Sequence, residues 1–279
     1  MNNAVQRGRG VKLAAWIFSG LMAFAAFFPF FWMFLSSFKT RQEIFAVPLV
    51  IWPKNFSFVN YSRVLNDSMY PFLNAMGVTF FISVTAVVLA LALNMMAAYA
   101  FARLEFRFKR LLWVVCISTM YIPGIAILIT SYLVVARIGL LDTLFVLILP
   151  GLVSGYSIFF YRQFFLNIPV SLEEAALIDG CSRFRIFRSI FVPMSTAPMV
   201  VMGAGVFLGY WNSFIWPAMT ISDPKLMQVM QVIRTFDSYY SQDYGSVLAA
   251  ASMAVVPPIV MFALFQKRIV AGFVLSGLK

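Results

Sequence analysis

Six long stretches without a charged residue limit this chain to very few kinds of fold. Each is close to, or longer than, the roughly 20 apolar residues that a helix needs to cross a bilayer. We therefore predict an all-α, polytopic membrane protein with six transmembrane helices in a single domain, 1–279. The predicted spans are 14–35, 72–101, 111–135, 143–161, 194–216 and 246–266.

The overall composition supports this class. Hydrophobic residues make up 62% of the chain and charged residues 11%, against about 25% charged in soluble domains. Arg7, Arg9 and Lys12 precede the first apolar run, and Ala23-Phe24-Ala25 has the form of a signal-peptide cleavage site. Because that run continues to Phe38, the sequence predicts an uncleaved membrane anchor.

The distribution of basic residues predicts the orientation. With the N-terminus inside, 14 of the 21 Lys and Arg residues fall on the inner side, which is the side that carries the excess in membrane proteins. Both termini, the loop 162–193 and the tail 267–279 are then cytoplasmic. The net charge of +11 is explained by this topology, so we expect no nucleic-acid partner.

The longest charged passage is the stretch 169–193 in the predicted loop. Ser171 and Glu174 have the spacing of a capping box, which predicts a short helix with Pro169 just outside it. Glu173 and Glu174 would lie in the first turn, where negative charge favours the helix dipole. Gly180 is suited to ending the helix. A helix of about two turns is unstable alone in water, so it needs a surface to dock against.

This passage resembles the EAA loop of the permeases of binding-protein-dependent ABC importers. The longer string E-E-A-A-L-I-D-G-C-S-R-F-R-I-F is similar to the carbohydrate-uptake branch, above all to the smaller maltose-type subunit. Val192 stands where that family usually has Leu. The matching positions are Glu174, Ala175, Ala176, Gly180, Ile190 and Pro193.

The resemblance implies a type I ABC importer permease-like bundle with a coupling helix that sits in a cleft of an ATPase subunit. Glu174 would contact the ATPase, Ala175 and Ala176 would permit close approach, and Gly180 would make the turn. The residues expected to couple to the ATPase are Glu173, Glu174, Ala175, Ala176, Leu177, Ile178, Asp179 and Gly180.

The same resemblance implies the partners. They are a second, non-identical permease subunit, a homodimer of ABC ATPase subunits that binds ATP and Mg, an extracytoplasmic solute-binding protein, a sugar substrate and membrane lipid. The location implied is a bacterial or archaeal cell (inner) membrane. We expect no cofactor and no metal on this chain itself.

Several motifs of other functional classes are absent from the sequence. The chain has no histidine, no phosphate-binding loop, no H-E-x-x-H and no G-x-S-x-G, which argues against an enzyme. The predicted spans carry no charge with which to couple an ion or proton. Two alternatives stay open: a self-contained channel or facilitator, and an ABC permease for a non-sugar solute.

Uncharged polar and aromatic side chains within the spans are candidates for the translocation path. Amides, hydroxyls and ring faces suit a neutral polyol, although each such residue alone is more often a packing or helix–helix contact. The candidates are Asn94, Tyr121, Tyr156, Tyr210, Trp211 and Asn212.

Overall fold

The computed structural model describes residues 2–239 and 243–277, which contain helices and no strand. They form two compact units, Met1–Ser68 with Ile233–Val256, and Met69–Val232 with Pro257–Lys279. The helices are α1 (Asn2–Ser36), α2 (Arg41–Ile44), α3 (Val59–Leu65), α4 (Phe72–Arg103), α5 (Lys109–Ser118), α6 (Leu128–Arg137), α7 (Leu144–Ile148), α8 (Gly155–Leu166), α9 (Val170–Ile178), α10 (Arg183–Ile186), α11 (Val192–Met194), α12 (Thr196–Trp211), α13 (Ile215–Thr220), α14 (Val229–Tyr239), α15 (Tyr244–Ala254) and α16 (Val256–Gly277).

Three stretches of helix in the described chain are long and apolar enough to cross a membrane: Ala15–Ser36, Phe72–Arg103 and Tyr244–Ile269. Two further stretches pass the same test only as bent pairs. Lys109–Tyr121 with Gly124–Arg137 bends by 97°, and Arg183–Met194 with Thr196–Trp211 bends by 81°. By length and composition these amount to as many as five spans.

The fourth predicted span, 143–161, falls on two short helices, α7 and the first part of α8. Pro150 and Gly151 lie between them, and Gly151 has a φ of +92°, a conformation that favours glycine. The predicted number of six spans stays a prediction. The predicted tail, 267–279, is part of helix α16 as far as Gly277. Residues 278 and 279 lie outside the described range.

The first unit is held together where α15 packs against α1 and α3. Asn60 on α3 donates hydrogen bonds to the carbonyls of Ser37 and Lys39, at 2.7 and 3.0 Å. Its side chain occupies the space beside Gly245, where an added Cβ would lie 2.7 Å from the Asn60 amide. A residue without a side chain is therefore required at this crossing.

The second unit is built along α4, which packs against α8 and α12. Near its C-terminal end, Met95 and Tyr99 join a buried cluster with Tyr161, Phe165 and Phe191. Nearer its N-terminal end, α4 contributes to a second buried cluster, which includes Ile82, Ala86, Val146, Leu152 and Ile221. The loop 162–193 adjoins the first cluster, and a cleft opens beside the second.

Candidate functional site: the α9 loop and a neutral cleft

The helix of the loop 162–193 begins two residues earlier than the predicted cap at Ser171 implies. α9 starts at Val170 after Pro169, and no side chain caps its N-terminus. The predicted capping box of Ser171 and Glu174 is therefore wrong, because Ser171 already lies inside the first turn. Pro169 does lie outside the helix, and Glu173 lies in the first turn, where its charge suits the helix dipole. The prediction that Glu174 also lies there is wrong, because the earlier start of α9 places it after the first turn.

The end of α9 is a Schellman turn centred on Gly180, which has a φ of +76°. The amide of Cys181 donates to the carbonyl of Ala176 at 2.9 Å, and that of Gly180 donates to Leu177 at 3.0 Å. These are the two bonds that define the motif. The prediction that Gly180 ends the helix is confirmed.

Most of α9 is exposed, and only Glu173 is buried. The side chain of Ile178 is 87% exposed, and Leu172 and Leu177 are exposed as well. Glu174 and Asp179 lie exposed among them. Burying an isoleucine of this kind against a partner contributes about 1.5–3 kcal/mol.

Glu173 is the exception on this helix, since its side chain turns inward and is only 5% exposed. One carboxylate oxygen accepts a hydrogen bond from the Tyr99 hydroxyl at 3.3 Å and is paired with Arg183. The other lies 3.7 Å from Nε of Arg103. A single carboxylate thus joins α9 to α4 and α10.

Arg103 extends this network to the end of α8. One terminal nitrogen of its guanidinium donates to the carbonyl of Phe165 at 2.8 Å and also to that of Ile168. Its side chain is 8% exposed, so its charge is balanced mainly by Glu173 and these helix-terminal carbonyls. Sequence reasoning missed Tyr99, Arg103 and Arg183, although Tyr99 and Arg103 share one face of α4 at i, i+4 spacing.

A cleft of about 640 Å³ opens in the second unit between the α7–α8 break and helices α12 and α13. None of the residues that line it is charged. Its polar and aromatic lining consists of Ser154, Tyr156, Ser157, Tyr210, Ser213, Trp216 and Gln228.

Side chains near this cleft satisfy the backbone carbonyls that the break between α7 and α8 leaves without helical partners. The Tyr210 hydroxyl lies 2.9 Å from the carbonyl of Ile148 and 3.0 Å from that of Pro150. The Trp216 indole donates to Val146 at 2.8 Å. Such a break is tolerated at membrane depth only when these groups are paired.

Asn94, on α4, also forms hydrogen bonds to backbone groups of the break between α7 and α8. Its amide donates to the carbonyl of Leu152 at 2.7 Å, and its oxygen accepts from the Ser154 amide at 2.8 Å. It is buried and does not line the cleft. Asn94 therefore ties α4 to the start of α8.

Of the six candidates for the translocation path, Tyr156 and Tyr210 line the cleft. Tyr121 is 82% exposed elsewhere, and Asn212 is exposed just after α12. Trp211 is buried and stacks on Phe207, with ring centroids 5.6 Å apart. The structure brings together only two of the six.

Gln228 lines the same cleft, and sequence reasoning missed it. The residue is 1% exposed, and its Oε1 finds no hydrogen-bond partner among the described residues. No pattern of charge or spacing marked it, since it lies in a loop outside the predicted spans. No group of three or more metal-ligating side chains occurs within the described ranges.

Comparison with known proteins identifies the family to which the chain is related. The family model for the binding-protein-dependent transport system inner membrane component matches residues 92–272. The diacetylchitobiose uptake system permease NgcG of Streptomyces coelicolor is 33% identical over 260 residues, which cover 89% of this chain and 82% of that protein. The arabinooligosaccharide transport permease AraQ of Halalkalibacterium halodurans is 27% identical over 260 residues, which cover 92% and 93%.

The fold has a counterpart among solved structures. A chain of a bacterial ABC transporter involved in alginate import superposes with a TM-score of 0.80 at 22% identity, covering 94% of this chain and 97% of that one. The chain described here belongs to the binding-protein-dependent transport system inner membrane components, the multi-pass permease subunits of ABC importers.

Proposed function

We propose that this chain is a transmembrane subunit of an ATP-driven ABC importer for sugars or oligosaccharides, and that α9 is its contact with the ATPase. The observation that carries the proposal is the build of α9: its inner side is anchored by Glu173, while Ile178, Leu172 and Glu174 face outward. A helix of nine residues with several exposed apolar side chains needs a partner to cover them.

The energy for transport would come from that partner. The chain lacks a phosphate-binding loop, so ATP and Mg would bind to a homodimer of ATPase subunits. The loop 162–193 and both termini would lie in the cytoplasm, as the distribution of basic residues favours. A second, non-identical permease would complete the membrane domain.

A sugar cargo is supported by the named relatives and by the chemistry of the cleft. The cleft offers hydroxyl, amide and aromatic groups and no charge, which suits a neutral hydroxylated ligand. Tyr156, Tyr210 and Gln228 are the residues that we expect on the translocation path. An extracytoplasmic solute-binding protein would deliver the cargo, as the family description indicates.

The test is affinity purification of the tagged chain from detergent-solubilised membranes of its host, with the bound proteins identified by mass spectrometry. We expect an ATPase and a second permease. Recovery of this chain alone, from membranes in which known complexes stay intact, would instead favour a self-contained channel or facilitator.

A matched pair of variants locates the contact. Ile178→Glu places a charge on the exposed face of α9 and should reduce recovery of the ATPase but not of the second permease. Ile138→Glu alters another exposed isoleucine on the segment predicted to lie outside, and should leave both unchanged. Equal recovery of the ATPase with both variants would exclude α9 as the contact.

The cargo is tested separately with the co-purified solute-binding protein. We expect its thermal unfolding temperature to rise with a mono- or oligosaccharide. A response only to amino acids, peptides or ions would be consistent with the importer function but would exclude a sugar as the cargo.

A further inference from the structure

The two adjacent glutamates of the loop have opposite environments. Glu174 is exposed and makes no ion pair in the described part of the chain, whereas Glu173 is buried against Tyr99, Arg103 and Arg183. A buried carboxylate is costly unless it is paired and hydrogen-bonded. The inward carboxylate therefore has a role that the outward one cannot share.

The contacts of Glu173 connect α9 to a membrane-spanning helix. Arg103 is the last residue of α4, and Tyr99 lies one turn earlier on the same helix. Arg103 also holds the carbonyls at the end of α8. The Glu173 carboxylate thus connects α9 to the end of α4 and, through Arg103, to the end of α8.

The link between Glu173 and Arg103 has room to tighten. The Arg103 Nε is buried, and it finds no hydrogen-bond partner within the described residues. Its distance of 3.7 Å from the Glu173 carboxylate is longer than the 2.7–2.9 Å of a charge-assisted hydrogen bond. A movement of α9 towards α4 by about 1 Å would complete that bond.

We infer that Glu173 is a positioning residue that transmits movement of α9 to α4 through its ion pair with Arg103. This inference rests on the proposed coupling of α9 to an ATPase. It assigns two roles to the acidic pair: Glu174 contacts the partner, and Glu173 passes the motion inward. The role is separate from folding, because it concerns how much transport accompanies each hydrolysis cycle.

The test uses the complete complex of permeases, ATPase and binding protein in proteoliposomes, with substrate uptake and ATP hydrolysis measured together. Glu173→Gln keeps the size of the side chain and removes its charge. We expect uptake per ATP hydrolysed to fall by about fivefold or more, the lower end of usual coupling factors. Glu105→Gln, which alters a surface pair with Lys109, is the matched control and should keep the wild-type ratio.

A milder variant keeps the test decisive if Glu173→Gln does not assemble. Tyr99→Phe removes only the hydroxyl that donates to Glu173, and should lower the same ratio by a smaller amount. Combining it with Glu173→Gln should add little, because both act through one contact. A wild-type ratio in Tyr99→Phe and in any assembled Glu173→Gln complex would overturn the inference.

Failure of the proposed function has a different signature. If uptake by the wild-type complex needs no ATP, the proposed coupling role of α9 is wrong, and the inference about Glu173 that rests on it is rejected as well. If wild-type uptake is ATP-driven and the ratio is unchanged in the variants, only the role of Glu173 is rejected. A parallel fall in uptake and hydrolysis, with the ratio intact, would likewise overturn it and leave Glu173 a structural anchor.

Discussion

Around α9 the buried side chains of Glu173 and Arg103 form an ion pair, whereas around the cleft Asn94, Tyr210 and Trp216 are neutral and donate to backbone carbonyls. The ion pair lies at the end of α4, while the three neutral side chains pair with backbone groups of the break between α7 and α8. Both sets connect helices that are separate in sequence.

The difference agrees with the predicted fourth span, 143–161, which would place the break inside the bilayer and the α9 loop outside it. An ionised side chain near the middle of the bilayer costs several kcal/mol, about 2.5–3.5 by insertion scales, but little near the ends of a span. Charge can therefore hold the loop, while neutral hydrogen bonds must hold the break beside the cleft.

The largest effect is expected when the cationic partner of Glu173, Arg103, is removed. Arg103→Ala leaves Glu173 buried with only the half-exposed Arg183 as a cationic partner, and it frees the carbonyls of Phe165 and Ile168. We expect a loss of about 3–5 kcal/mol in the free energy of unfolding. The measurement is thermal unfolding in detergent, followed with a thiol-reactive dye at the free cysteines Cys116 and Cys181.

The control for that variant is Lys109→Ala, which breaks the exposed pair with Glu105. Exposed pairs contribute about 0–1 kcal/mol, so its unfolding temperature should stay close to that of the wild type. If the two variants unfold at the same temperature, the loop is not held by its buried charges.

The next largest loss in the free energy of unfolding is expected at the break between α7 and α8. Asn94→Ala leaves the Leu152 carbonyl and the Ser154 amide without their partner, at a cost of about 1–3 kcal/mol. The same unfolding assay measures it, with Asn66→Ala as a control, because Asn66 bonds only within an exposed turn. A cost equal to that of the control would mean that the break is stable without Asn94.

A smaller loss is expected for Tyr210→Phe, which removes one hydroxyl and keeps the ring. The loss of its bonds to Ile148 and Pro150 should cost about 0.5–1.5 kcal/mol. Tyr121→Phe, at an exposed position, supplies the baseline in the unfolding assay. A loss for Tyr210→Phe as large as that for Arg103→Ala would remove the distinction between the two regions.

The smallest effect on stability is expected at Glu174. Because its side chain is exposed, Glu174→Ala should change the free energy of unfolding by less than about 0.5 kcal/mol. Substrate-stimulated ATP hydrolysis by the complex should still fall about tenfold, the effect of losing about 1.4 kcal/mol of contact energy. Normal coupled transport by this variant would reject Glu174 as a contact residue.

The sequence by itself determined the class of the protein and the C-terminal end of α9. Apolar stretches of about 20 residues have few alternatives to a membrane helix, so the helices at 72–103 and 244–269 were predictable. Gly180 was predictable as a stop because few other residues adopt a positive φ without strain. The E-A-A string identified the loop because the motif is local in the chain.

Tertiary structure alone decided which side chains of that loop face inward. Glu173 and Glu174 are neighbours of the same type, and only packing against Tyr99 and Arg103, some 70 residues earlier, distinguishes them. The cleft is decided in the same way, since Gln228 and Tyr210 come from separate segments. Local propensity is encoded in a few neighbouring residues, whereas burial and pairing depend on which distant segments meet.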